Sequence, residues 1–357
     1  MAKRHEKFKP RSATPAAWPR RLAAAAAALL LGAGAYETWY WTRALDPGAE
    51  TYLLKQGASL RSLAQELRRR GAIAESASFV WGATLTGRSR QLKAGEYRFA
   101  TGTSVAGILE QVILGRVVEY PVRFVEGWTV RQMLAALDEA PKLTRTLSGL
   151  PPGEVMMRLG YPNIHPEGRF YPDTYKYPAG QQDHTILARA FERMRERLAR
   201  EWENREPGLP FKTPDEALIL ASIVEKETGR ADERALIAGV FINRLRKGMK
   251  LQTDPTVIYG LGPSFDGNLR VRDLKRDTLY NTYTRTGLPP TPIAMPGGEA
   301  LRATLHPAKT RALFFVSRGD GSHQFSETLE EHNRAVVQYQ LGGKAKPTSS
   351  SAPATKR

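Results

Sequence analysis

Glu225 and Glu227 stand at the end of an apolar helix-like run, Ala217 to Val224, in which only Ser222 is polar. Thr213, Pro214 and Glu216 write a capped helix start just before that run. A helix apolar on every face is a buried one. It delivers its two carboxylates at a C-terminal end, before Gly229 can stop it. There the negative pole of the helix dipole opposes a further negative charge, and apolar surroundings penalise the ionised form. Both effects raise a carboxyl pKa, and a glutamate that keeps its proton near neutral pH is what a general acid requires. Glutamates near helix ends ordinarily sit in water, and the apolar rod preceding this pair argues against that placement. Glu227 reads as the more structural of the two, because Lys226, Arg230 and Arg234 offer it ion-pair partners. Spacing alone leaves open which one works.

Other chemistries lack their residues. The six histidines are scattered without metal-ligand spacing, and cysteine is absent. No HExxH pair, nucleophile elbow, Walker loop or dinucleotide fingerprint occurs. Carboxylate chemistry remains, and a glutamic acid in a groove outside a membrane points to glycan cleavage. Ordinary glycosidases use two carboxylates. Asp254 and Glu227 are candidates for the second, although one suffices when the substrate supplies its own nucleophile.

The elements that must position these groups read as follows. Leu22 to Trp41 is long enough to cross a bilayer, follows a basic segment, and carries Tyr36, Trp39, Tyr40 and Trp41 as an aromatic belt at its far end, with Glu37 at the outer interface. This predicts an uncleaved single-pass anchor, N-terminus cytoplasmic; a cleaved signal peptide ending near Ala33-Gly34-Ala35 is the alternative. Thr42 to Ala49 reads as a linker. Three strand–turn–helix units follow, capped at Ser59, Ser104 and Thr129, each with apolar residues one, four and eight positions after the cap. Pro141 to Pro178 reads as irregular; within it Glu167–Tyr175 is either a binding-cleft loop or a buried connection. Amphipathic helices are expected over Thr185–Asn204 and from about Asp232 to Gly248. Thr253 or Asp254 caps a short helix starting at Pro255. The segment from Asn281 to Ile293 lines a sugar-sized groove or is a rigid wrap. A hairpin (Leu313–Ser317, His323–Phe325) and a helix capped by Thr328 and Glu331 close the domain.

The formal charge of +17 resembles a nucleic-acid signal until it is located. Residues 1–21 carry a net +6 and the stretch beyond Leu341 a net +4. A surplus held in tails favours membrane surfaces and polyanions over base readout, so no nucleic-acid partner is expected.

The blocks Ala221–Thr228, Val240–Leu245 and Leu251–Gly260, followed by Asn281-Thr282-Tyr283, Gly287-Leu288-Pro289-Pro290 and Glu331-His332-Asn333, resemble the YceG-like (MltG) endolytic murein transglycosylases. The Glu167–Tyr175 loop matches as well, and the likeness runs from the anchor to about Gln340. One departure is Met295, where family members often carry Asn, which puts one polar substrate contact in doubt. The resemblance implies an α+β protein: a cytoplasmic basic tail (1–21), a transmembrane helix (22–41), a small LysM-like module (42–118), a mixed α/β catalytic domain (119–341) whose buried helix presents the catalytic glutamate, and a disordered tail (342–357). It implies an inner-membrane location with the catalytic domain periplasmic, and no cofactor. The implied reaction cleaves the bond between N-acetylmuramic acid and N-acetylglucosamine in nascent peptidoglycan strands, leaving 1,6-anhydro ends. Glu225 is then the catalytic acid, with Glu227, Gln252, Thr253, Asp254, Asn281 and Tyr283 positioning substrate or supporting those that do. Implied partners are glycan strands and the peptidoglycan synthases (penicillin-binding proteins) of elongation and division. A non-catalytic murein-binding scaffold is the alternative.

Overall fold

The apolar run near the N-terminus folds as a single helix, α1 (Trp18–Thr42), long and apolar enough to cross a membrane. The structure, a computed structural model, describes residues 18–342; the basic tail up to residue 17 and the tail from residue 343 lie outside the described residues. The chain divides into two units between Val118 and Glu119.

In the first unit α1 is followed by β1 (Tyr52–Leu54), α2 (Leu60–Arg69), α3 (Ala77–Leu85), β2 (Gly95–Tyr97) and α4 (Val105–Leu114). The caps fall where the sequence places them: Ser59 accepts from the Ser62 N–H and Ser104 from the Gly107 N–H, both at 3.1 Å. The apolar positions after each cap are all buried, and β1 pairs antiparallel with β2, Tyr52 opposite Tyr97. Two expectations fail here. The aromatic belt is reduced to Tyr36 and Trp39, because Tyr40 is wholly buried in this unit's core and Trp41 stacks on Phe79 with centroids 5.8 Å apart. Glu37, near the same end of α1, accepts a 2.8 Å hydrogen bond from Ser78. Nor is Thr42–Ala49 a free linker. Leu45 exchanges backbone hydrogen bonds with Gly102 and Thr103 in the turn opening α4, and buried Pro47 accepts from the Tyr52 hydroxyl at 2.7 Å.

The second unit runs β3 (Glu119–Arg123), α5 (Val130–Glu139), α6 (Pro152–Arg158), β4 (Thr174–Pro178), α7 (Asp183–Glu203), α8 (Pro214–Glu227), α9 (Ala231–Arg246), α10 (Asp254–Leu261), α11 (Val271–Lys275), α12 (Gly298–Leu305), β5 (Phe314–Ser317), β6 (His323–Ser326) and α13 (Leu329–Tyr339). Each sheet among the described residues is an antiparallel pair, β3 with β4 and β5 with β6 in this unit. The unit is therefore helices with small ribbons, not the parallel α/β layering that a mixed α/β domain would bring. The irregular reading of Pro141–Pro178 is also corrected, since that stretch holds α6 and β4. Tyr175 and Tyr177 are buried on one face of β4 while Thr174 and Lys176 are exposed, the period of a half-buried strand.

Helix α8 is the axis of this unit. Ala217 to Val224 are all buried, and α12, α9, α7 and α10 pack around it. Buried Ser222 is satisfied twice: its hydroxyl donates to the Ile219 carbonyl and accepts from the Ile293 N–H at 3.0 Å. That second bond ties the proline-rich segment ahead of α12 to the middle of the rod.

Candidate active site

Helix α8 ends at Glu227, with Thr228 as its C-cap just ahead of Gly229. Thr228 turns extended, and its β-branched side chain accepts from the Arg230 N–H at 2.9 Å. Glu225 and Glu227 therefore occupy the last turn and leave the helix about 200° apart, on opposite sides.

Glu225 points toward the start of α12. Its Oε2 accepts the Gly297 N–H at 2.9 Å, while Oε1 has no hydrogen-bond partner among the described residues. Burial raises its pKa most. The Gly297 N–H opposes that rise, and the nearby charge of Glu126 adds to it. Glu126 lies on the turn between β3 and α5, so close over Gly297 that a Cβ there would stand 1.9 Å from its Oε1. The turn and the 295–297 segment are laced together: Gly127 N–H donates to the Met295 carbonyl at 2.9 Å, and Met295 N–H to the Trp128 carbonyl at 2.7 Å. Lys226 closes the cluster by donating to the Gly127 carbonyl at 3.3 Å. The Met295 side chain itself is buried in the core around α5 and α7, so the doubt about a lost substrate contact does not apply at this position.

Glu227 departs from its expected ion pairs. Lys226 is drawn to Gly127, and Arg230 pairs with Asp232 at 2.6 Å. Instead Glu227 accepts the Thr253 hydroxyl, and burial pushes its carboxyl up to about 7, with Asp254 adding to the rise. Thr253 sits at the N-cap of α10 but spends its hydroxyl on Glu227. Asp254 accepts from the Tyr283 hydroxyl at 2.6 Å, and Gln252, at a positive φ of 53°, accepts from Arg244 at 3.2 Å. Glu227, Arg244, Gln252, Asp254 and Tyr283 line one open cavity of about 570 Å³ with the β5–β6 hairpin and α13. Backbone held at positive φ by a non-glycine residue is a feature that clusters at working sites.

Asn281 is brought near these groups but turned away from them. Wholly buried, its amide donates to the carbonyls of Asp273, Leu274 and Arg276, and its oxygen accepts the Tyr283 N–H at 2.8 Å. It clamps a loop and offers nothing to a substrate.

The chain matches the YceG-like family over residues 52–338. It belongs to that family. An endolytic murein transglycosylase of Bacillus subtilis is 30% identical over 303 residues, covering 80% of this chain and 83% of that protein. One of Streptococcus pneumoniae is 34% identical over 132 residues, which cover 36% of this chain and 24% of that protein. A YceG-like protein of Listeria monocytogenes, solved by crystallography, is 28% identical, with 80% of this chain and 99% of that one aligned at a TM-score of 0.49.

Sequence reasoning on this YceG-like chain gave no role to Glu126, Gly297 or Arg244, and named Glu167 only as the first residue of a loop. Glu167 is 2% exposed, accepts the Val130 N–H at 3.0 Å and the Tyr259 hydroxyl at 3.1 Å, and is pushed up to about 7 by burial. The loop that carries it is in large part a buried connection, as Phe170 and Pro172 also show, although Glu167 and Tyr259 border a second cavity of about 560 Å³. The Gly297-Gly298 pair leaves a signal of its own in the sequence, two glycines opening a helix where backbone must approach closely.

Proposed function

We propose that this chain is an endolytic lytic transglycosylase that cuts the β-1,4 bond between N-acetylmuramic acid and N-acetylglucosamine within peptidoglycan strands. The observation that carries the reading is Glu225: one oxygen is fixed by a backbone N–H, the other is open, and the carboxyl is held toward its protonated form. Membership in a family whose named relatives are endolytic murein transglycosylases supports it.

In this reading the proton on Glu225 Oε1 passes to the glycosidic oxygen as the C1–O bond of the muramoyl unit breaks. The resulting carboxylate, steadied by the Gly297 N–H, takes the proton of the same sugar's C6 hydroxyl. O6 then bonds to C1, giving the 1,6-anhydro end and returning Glu225 to its starting state without water. Glu126 acts as a positioning residue, its charge favouring both the protonated acid and the cationic sugar centre. The cavity bordered by Glu227, Gln252, Asp254 and Tyr283 supplies polar groups for neighbouring sugars, with Thr253 and Asn281 holding those groups in place.

Helix α1 anchors the enzyme once in the cytoplasmic membrane, N-terminus inside, so that the catalytic domain (119–341) works on strands outside it. Residues 42–118 form a LysM-like glycan-binding module, a reading supported by the β1–α2–α3–β2 order around an antiparallel pair. Peptidoglycan synthases that extrude nascent strands are the partners such a terminator would meet.

Mass spectrometry of uncrosslinked glycan strands incubated with the full chain, beside Glu225→Gln, tests the reading. Anhydro-ended fragments from the unaltered chain alone are expected. Reducing-end fragments would make water the nucleophile and a second carboxylate necessary. Strand binding without cleavage would leave a murein-binding scaffold.

A further inference from the structure

Helix α3 (Ala77–Leu85) is mostly apolar, with Ser78 and Thr84 its polar residues, yet the first unit covers only one of its faces. Phe79, Ala83 and Ser78 are buried against the core, while Trp81 and Leu85, one turn apart, are 67% and 75% exposed. An apolar helix left half uncovered needs an apolar partner.

The position of α3 identifies that partner. It crosses the last turns of α1: Ser78 donates to Glu37, the hydroxyls of Tyr36 and Tyr40 bond the side chain and carbonyl of Glu75, and Trp41 stacks on Phe79. Trp41 lies so close that a Cβ on Gly82 would stand 2.2 Å from its ring. Thus α3 sits at the depth where the candidate span ends and where exposed Trp39 carries Arg43 at 4.7 Å over its ring. The covalent continuation of α3 is basic. Arg88, Arg90 and Lys93 are exposed, and no acidic residue occurs from Ser76 to Gly95. An exposed tryptophan level with the end of a span, with basic residues following it, is the pattern of a membrane–water interface.

We propose that α3 lies in the headgroup layer of the bilayer that α1 crosses, with Trp81 and Leu85 inserted and Arg88 and Arg90 over lipid phosphates. The inference rests on the reading of α1 as an anchor. A single helix leaves the unit free to swivel; a second contact from α3 holds the first unit in a set attitude on the membrane surface.

Because the chain has no cysteine, single cysteines report cleanly. The full chain is reconstituted in phosphatidylcholine–phosphatidylglycerol vesicles with an environment-sensitive fluorophore at Trp81→Cys, Leu85→Cys, Leu30→Cys in α1, or Gln65→Cys on the exposed side of α2. Labels at 81 and 85 should shift to the blue and be quenched roughly twofold or more by lipids carrying a shallow nitroxide, as expected for a face sunk to the headgroup boundary. The label at 65 should stay aqueous, and that at 30 should answer to a deep nitroxide. If 30 is quenched while 81 and 85 behave like 65, the inference is overturned and the anchor stands. If 30 is aqueous, the anchor fails and the inference with it.

Discussion

Glu167→Gln separates a buried structural carboxyl from a working one. Glu167 is almost wholly enclosed and its carboxyl sits at about 7, against an ordinary 4.5. The folded-state pKa is raised, so the stability contributed by the protonated form is complete below pH 4.5 and is lost as pH rises through 7. A rise of that size corresponds to roughly 3 kcal/mol at about 1.4 kcal/mol per pKa unit. Glutamine reproduces the protonated acid: its oxygen accepts from Val130, and its amide donates to the Tyr259 hydroxyl oxygen. The variant should therefore match the parent at pH 4.5 and exceed it by up to about 3 kcal/mol at pH 8, roughly 6–12 °C in Tm for a unit of this size. Thermal unfolding of the full chain in detergent, at pH values from 4.5 to 8, reads this directly. Glycan cleavage should survive the substitution. An equal loss of stability at every pH would refute the burial argument, and loss of cleavage in a stably folded variant would move the acid from Glu225 to Glu167.

Three further outcomes follow from the same contacts. Glu126→Gln removes the like charge that helps raise the Glu225 carboxyl, so the alkaline limb of the rate–pH profile should move to lower pH; an unmoved limb would remove Glu126 from the site. Tyr40→Ala opens the core of the first unit and frees the Glu75 carbonyl, which accepts from the Tyr40 hydroxyl at 2.6 Å; by analogy with other aromatic truncations this should cost about 3–5 kcal/mol in denaturant unfolding, whereas a helix end lying only in lipid would lose little. Asn281→Ala leaves the Tyr283 N–H and three carbonyls without their partner, a cost of roughly 1–3 kcal/mol, and should lower activity through a displaced Tyr283. Full activity with the stability loss would mean that Tyr283 takes no part.

Much of the helical framework was legible because caps and apolar spacing are local signals. Ser59, Ser104 and Thr328 each bond the N–H three residues on, and the positions one, four and eight after the first two are buried as their period requires. Helix α8 was legible for the opposite reason, having no polar side. Helix α3 went unread because it too has no period, and nothing in a nine-residue apolar run tells helix from strand. The site was half legible. Glu225 could be nominated from the rod before it, but its hydrogen bond reaches 72 positions along the chain to Gly297. Asn281 shows the limit most clearly, since a polar side chain beside Tyr283 reads equally as a ligand contact or a loop clamp until its carbonyl partners are known.

What sets Glu225 apart from the other raised glutamates is that a backbone N–H at the N-cap of α12 holds one of its oxygens while the other stays free. Glu167 has both oxygens engaged, by Val130 and by Tyr259; Glu227, like Glu225, has one oxygen bonded, but its partner is the Thr253 hydroxyl and Asp254 stands beside it. A proton on either is costly to remove because the surroundings are built around that group. Glu225 has one oxygen fixed and one free, at the meeting point of a helix C-terminus and the opening of α12. The first pole disfavours its charge; the second, through Gly297, accepts it. A group that must give a proton and then take one back needs both states to be tolerable, and this carboxyl is placed between opposing fields. The buried rod of α8 and the close-packed Gly297 keep that balance in register, which is the physical case for Glu225 as the proposed acid.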